Sequence, residues 1–325
     1  MKINERYYPL LATLAVLALL YGYGIAEHRA FSDTYVLGAL LTDNAFLIIT
    51  AVGMTFVILS GGIDLSVGSM IAFVGVLMAE LVTGFGMHPL VAVVISIAVG
   101  TLFGAFMGVI IAKFDIQPFI ITLAGMFFLR GMCFLINLDS VPIDHPFVAD
   151  FSGFKIPLPG RGWISAAALL MLITVIAGVV IAHYTRFGRN VYAIGGDRQS
   201  AELLGIPVQG TIIRVYTLSG FFSALAGVVF AFYTASAYPL AAVGVELDAI
   251  AAVVIGGTLL TGGMGFVVGT FFGGIIMGVI QTLIAFDGSL NSWWTKIMIG
   301  ALLFGFIVLQ RLITRSFSGM RAGAG

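Results

Sequence analysis

Apolar residues fill most of the chain in long runs, broken at intervals by short polar or glycine-rich stretches. About 20 consecutive apolar residues suffice for a helix to cross a bilayer. On that rule the pattern predicts membrane-crossing helices over 9–26, 36–59, 67–86, 89–112, 118–137, 163–184, 212–234, 247–262, 264–286 and 294–313. The fold class expected is all-α: a polytopic membrane protein of about ten transmembrane helices, forming a single transmembrane domain over residues 1–325. Two longer linkers separate the runs: 138–162, rich in Pro and Gly, and 185–211, rich in charge. The eighth span, 247–262, is short enough to dip into the bilayer and return.

Composition agrees with the pattern. Hydrophobic residues make up 60% of the 325 and charged ones 9%, against about 25% charged in soluble domains. The formal net charge is zero, which leaves no basic stripe for nucleic acid. Cys133, the one cysteine, lies in an apolar run and reads as a small hydrophobe. Lys2 and Arg6 followed by apolar 9–25 and Gly24-Ile25-Ala26 imitate a cleavable leader, but a retained first helix is the simpler reading.

Basic residues set the expected orientation. With the N-terminus inside, Lys2, Arg6, Lys113, Arg186, Arg189, Arg198, Arg214, Arg311, Arg315 and Arg321 all fall on the cytoplasmic side, out of fifteen Lys and Arg. Both termini are therefore expected to be cytoplasmic. Trp163, Trp293 and Trp294 then fall at the outer interface, where an aromatic belt is expected. Glycines four apart, at Gly100, Gly104 and Gly108 and again at Gly269 and Gly273 and at Gly274 and Gly278, mark helix faces built for close packing.

Two interruptions resemble each other. "GGIDLSVG" at 61–68 and "GGTLLTGG" at 256–263 both read Gly-Gly-x-x-Leu-[Ser/Thr]-x-Gly after an aliphatic run. Irregular backbone at membrane depth survives only where protein or water satisfies it, so paired breaks point to a transport path. The candidate path residues are Gly61, Gly62, Asp64, Ser66, Arg130, Glu246, Asp248, Gly256 and Gly257. Ser60 and Asp64 could equally cap a helix beginning near Leu65. Arg130, deep in a span, calls for a carboxylate partner from among Asp64, Glu80, Glu246 and Asp248.

In the charged linker, Asp197 can cap a short helix running to about Leu204, with Gly205 as terminator and Pro207 forbidding continuation. Such a helix either lies on lipid or docks in a groove of a cytoplasmic partner through Leu203 and Leu204. No phosphate-cradling G-x-x-x-x-G-K-[ST] loop occurs, the four histidines show no metal-ligand spacing, and no hydrolase motif appears. No catalytic or metal-binding residues are assigned, and a carrier energised by a partner fits better than an enzyme.

"AVGMTFVILSGGIDLSVGS", "FIITLAGMFFLRG", "TRFGRNVYAIGGDRQSAELLGI" and "ELDAIAAVVIGGTLLTGGMG" resemble, in order, the ribose-type sugar permeases of bacterial ABC importers, over about 40–310. "LTDNAF" and "FDGSLNSWWTKI" are similar to permeases of galactofuranose importers. The resemblance implies a permease in the inner membrane, a second permease subunit (a different one if galactofuranose is the solute, an identical one otherwise), a periplasmic sugar-binding protein, and a cytoplasmic ATPase carrying ATP and magnesium. This chain would hold no cofactor of its own. Asp197, Ser200, Ala201, Glu202, Leu203, Leu204 and Gly205 would form the coupling helix seated in that ATPase. The competing classes are a stand-alone secondary transporter of a small polar solute and a membrane-embedded enzyme.

Overall fold

The computed structural model describes residues 7–322 except 292, with side chains through Gln310. Lys2 and Arg6 lie outside the described residues, as do the side chains of Arg311, Arg315 and Arg321.

Each predicted apolar segment contains a helix. These are α1 (Tyr8–Glu27), the pair α2 (Thr34–Asp43) and α3 (Ala45–Leu59), α4 (Val67–Thr83), α5 (Pro89–Phe114), α6 (Pro118–Ile136), α8 (Ala166–Tyr184), α11 (Val208–Thr234), α12 (Val245–Ile255), α13 (Val267–Asp287) and α14 (Trp293–Ala322). Among the described residues, seven are long and apolar enough to cross a membrane, or eight if α2 and α3, bent by 54° at Asn44, count as one span. Two of the ten predicted spans hold helices too short for that measure. The helix α4 has 17 residues. The helix α12 has only 11, about 16 Å of rise against a hydrocarbon core of about 30 Å.

The linker 138–162 is more than a linker. It holds the short helix α7 (Pro146–Gly153) and two ribbon strands, β1 (Val141–Pro142) and β2 (Lys155–Pro157). The strand β1 pairs antiparallel with β4 (Ser236–Ala237), and β2 with β3 (Trp163–Ser165) in the register Ile156 to Ile164. Because 163–165 is strand, the sixth span begins three residues later than predicted, at Ala166, where Ser165 Oγ caps it by accepting from the Ala168 N–H at 3.1 Å.

The helices sort into two layers. Inner helices α3, α4, α11, α12 and α13 supply most of the core, and α3 buries every residue from Ala45 to Leu59 except Phe46. Outer helices α1, α5, α6, α8 and α14 keep large apolar side chains exposed, among them Leu19, Leu102, Phe127 and Ile176. In water such a surface would aggregate; it suits lipid, which leaves tight van der Waals packing as the force between helices.

The predicted glycine faces carry that packing. The face of α5 meets α11: a Cβ on Gly104 would stand 2.5 Å from the Tyr216 carbonyl oxygen and 2.9 Å from Gly220 Cα. The α13 face splits. Gly269 and Gly273 press against Gly256 and Ala252 of α12, whereas Gly274 and Gly278 accept Ile48 and Asn44.

Replacing Gly104 by Leu is expected to separate α5 from α11 and lower the thermal midpoint in detergent by roughly 5–10 °C. Gly131→Ala on α6, where a Cβ would meet nothing within 4 Å, should leave it unchanged or slightly raised in the same scan.

Candidate functional site

The first break, residues 60–66, joins α3 to α4. Asp64 is buried there, 1% exposed. Its Oδ1 accepts from the Ser66 N–H at 2.9 Å and from Ser66 Oγ at 2.6 Å, and its Oδ2 accepts from Ser219 Oγ of α11 at 2.7 Å. The carboxylate thus ties the entry of α4 to α11. The helix starts at Val67 rather than near Leu65. Ser60 plays no capping part, since its hydroxyl donates back to the Val57 carbonyl at 2.8 Å.

The second break, 256–266, joins α12 to α13 and touches the first. The Gly263 N–H donates to the Leu59 carbonyl at 2.9 Å. A Cβ on Gly262 would stand 2.9 Å from the Gly61 nitrogen. The helix α13 runs antiparallel to α3, with Gly274 at Ile48 and Gly278 at Asn44, and antiparallel to α12, with Gly269 at Gly256 and Gly273 at Ala252, so α3 and α12 run in the same sense. Gly256 and Gly257 stand apart from the junction of the two breaks: the first packs on Gly269, and the second, at φ +92°, packs against Pro9. Both are close-approach points here.

A third segment closes the junction. The charged linker contains two helices, α9 (Arg186–Gly196) and α10 (Arg198–Leu203), of which only the second was expected. The helix α9 buries Gly188, Val191 and Ile194. At its end a Cβ on Gly195 would fall 1.7 Å from the Leu59 carbonyl oxygen and 2.5 Å from the Gly263 nitrogen. Tyr192 Oη donates to the Gly265 carbonyl at 2.8 Å. One helix thereby clamps both breaks. The sequence signal was present in the Gly195-Gly196 pair, but its partners lie far away along the chain.

Asp197 follows at once. Its Oδ1 accepts from the Ser200 N–H at 2.6 Å and starts α10, and this bond holds the carboxyl below the ordinary carboxylate range. Gly205, at φ +77°, ends the helix, with the Ile206 N–H donating to the Ala201 carbonyl at 3.0 Å. Ala201 is buried, whereas Leu203 and Leu204 are 85% and 79% exposed. Arg198 pairs with Asp115, in the turn after α5, at 2.8 Å and with Glu202 at 3.6 Å. A cavity of about 300 Å³ opens between α10 and the first break, lined by Gly61, Gly62, Gly195, Asp197 and Tyr216. Tyr216 Oη is buried against Gly62 with no hydrogen-bond partner.

Arg130 does not take the expected carboxylate. Its Nη1 donates to the carbonyls of Pro239 and, at 2.8 Å, Ala241. These carbonyls belong to the non-helical stretch before α12, where no helix bond serves them. Glu246 lies close enough to act on Arg130 electrostatically, but its Oε1 accepts from the Gly244 N–H at 3.3 Å and its buried Oε2 has no partner. Asp248 instead meets Lys296 of α14 at 2.7 Å. The nine path candidates therefore separate into the inner junction, an Arg130–Glu246 cluster, the Asp248 pair and the Gly256–Gly257 contact. Among the described residues no group of His, Cys, Asp or Glu could hold a metal ion.

Residues 36–307 match a family model described as "Branched-chain amino acid transport system / permease component". The chain is 56% identical over 310 residues to the inner membrane ABC transporter permease protein YjfF of Escherichia coli K12, covering 95% of this chain and 94% of that one. It is 36% identical to the fructose import permease protein FruG of Bifidobacterium longum, over 96% of this chain and 93% of the relative. It is 43% identical to the ribose import permease protein RbsC of E. coli K12, over 72% of each. No solved structure matches the chain.

Two substitution pairs test the junction. Gly195→Ala, forced against two backbones, should sharply reduce the yield of folded protein, while Gly196→Ala, with nothing within 4 Å of the new Cβ, should not. Asp64→Asn keeps an acceptor for the Ser66 amide and should cost little stability. Asp64→Leu strands the Ser66 N–H and should cost about 3 kcal/mol, read from thermal unfolding in detergent.

Proposed function

This chain belongs to that family of ABC importer permeases, and from this premise we propose that its clamped junction is the point where the energy of a separate ATPase is converted into opening of a sugar path. It is a multi-pass inner-membrane protein and a permease component, without ATPase activity of its own. Its family includes ribose and fructose import permeases, which supports a monosaccharide as the solute. The local text "LTDNAF" and "FDGSLNSWWTKI" supports galactofuranose in particular.

One observation carries the mechanism. The helix α10 presents Leu203 and Leu204 bare to the outside, and the residue before it closes a helix whose last glycines lie wedged against Leu59, Gly262 and Gly263. A body that grips the two leucines and moves pulls directly on both breaks. We read α10, from Asp197 through Gly205, as the coupling helix, with the leucines as anchors in an ATPase groove. Residues 1–325 act as one permease domain with both termini cytoplasmic. A loaded periplasmic sugar-binding protein docks on the opposite face. A second, homologous permease completes the membrane core, forming a heterodimer if the solute is galactofuranose. When the ATPase closes on ATP, α10 carries α9 with it, and the ends of α3 and α12 move together.

Many buried polar groups of the spans are Thr hydroxyls bonded to the carbonyl four residues back, as at Thr50, Thr55, Thr174 and Thr211, so the sugar is held weakly on its way, and fast release follows. A secondary transporter would need no gripping helix, which sets the test. Leu203→Asp with Leu204→Asp should leave folding intact and weaken ATPase co-purification roughly 100-fold or more, with ATP-dependent sugar uptake lost. Uptake that survives this change and is abolished by a protonophore would overturn the reading.

A further inference from the structure

At the end of the bundle away from the clamped junction lies a cavity of about 290 Å³. Seventeen residues of α11 separate Tyr216, at the junction, from Tyr233, at this cavity, or about 25 Å of helix. Its walls come from one side of α2 along its length, the end of α7 with the start of β2, strand β3, the start of α8 and the last turn of α11. The bend at Asn44 creates the space, because it turns α2 away from α3 just where Asp43 faces Tyr233.

The walls have two characters. Trp163 stands edge-on to Tyr35, ring centroids 4.9 Å apart, and with Phe151 makes an apolar side. Trp163 is thus part of a packed wall, not a free belt residue, and Lys155 Nζ sits 4.3 Å from its ring centroid. The other side is polar. Asp43 accepts from Tyr233 Oη at 2.8 Å. Thr42 Oγ1 and Ser165 Oγ share a hydrogen bond at 2.9 Å. Asp43 closes α2, where the negative end of the helix dipole opposes a carboxylate, and among the described residues it has no ion pair.

We propose that this cavity is a reception site for one neutral monosaccharide ring, with Trp163 against its C–H face, Tyr35 at its edge, and Asp43 and Tyr233 bonding its hydroxyls. An apolar solute would cover the exposed Asp43 carboxylate and leave it only the Tyr233 hydroxyl as partner. A zwitterionic amino acid could match Asp43 and Lys155 with its own two charges, so it is the competitor that the leucine control excludes. The volume lies at the small end for ligand pockets, about 300–1,000 Å³, which fits one ring and not a chain of them. The inference rests on the sugar-permease reading and adds to it the residues that meet the solute before the junction opens.

The test uses the permeases and their ATPase in nanodiscs, without the periplasmic sugar-binding protein and without ATP, and takes the quenching that is lost in Trp163→Phe as the signal of that indole. D-galactose, D-ribose and D-fructose are titrated, with L-leucine as the control. Saturable quenching by at least one sugar and none by leucine is expected. Asp43→Asn, a rim change with no packing cost, should weaken it about ten-fold or more, and should raise the half-saturation of uptake while leaving ATPase binding unchanged. Absence of saturable quenching by all three sugars overturns the site. So does sugar import at unaltered half-saturation in both Asp43→Asn and Trp163→Phe, which leaves the permease assignment standing. Sugar binding at Trp163 in a complex that imports no sugar supports the site and overturns the import assignment instead.

Discussion

Backbone amides and carbonyls that leave a helix inside a bilayer have no water to turn to, and each must find a partner within the protein. Among the described residues, three departures from helix besides the Asn44 bend show how this is answered. At 60–66 the buried Asp64 carboxylate takes the Ser66 amide. At 256–266 the Leu59 carbonyl takes the Gly263 amide. Before α12 the Arg130 guanidinium takes two carbonyls that no helix bond reaches. The polar residues that seem misplaced in so apolar a sequence are the ones that make the broken backbone tolerable there.

Close packing follows from the same economy. With lipid as apolar as any side chain, helices are held by contact, and contact is tightest where a backbone can meet a backbone. Glycine is required where α5 meets α11, where α13 meets α12, and above all at Gly195, where α9 lies on both breaks. These contacts make the junction a single packed object shared by five helices.

Features that depend on neighbours in sequence were legible there. Asp197 starting a helix and Gly205 ending it are local rules, and the structure keeps both. The apolar runs located the spans, and four-residue glycine spacing located their touching faces. What could not be read depended on distant partners. The helix α9 is too polar to register as a span, and its glycines matter only because Leu59 and Gly263 arrive beside them. Arg130 suggested a carboxylate because a sequence displays side-chain charges but hides which carbonyls a turn leaves bare. The short α12 was overestimated because an apolar composition continues past Ile255 although the helix does not. The cavity at the far end of α11 gave no sign at all, since Asp43, Trp163 and Tyr233 come from three separate stretches of chain.

The Arg198–Asp115 pair is half to three-quarters open to solvent. An ion pair so exposed contributes about 0–1 kcal/mol, close to the energy of thermal agitation. On the proposed coupling, a catch that light offers almost no resistance to a partner that moves α10. Rising ionic strength loosens it further, so the idle posture of the helix responds to the salt around it while the glycine wedge behind does not.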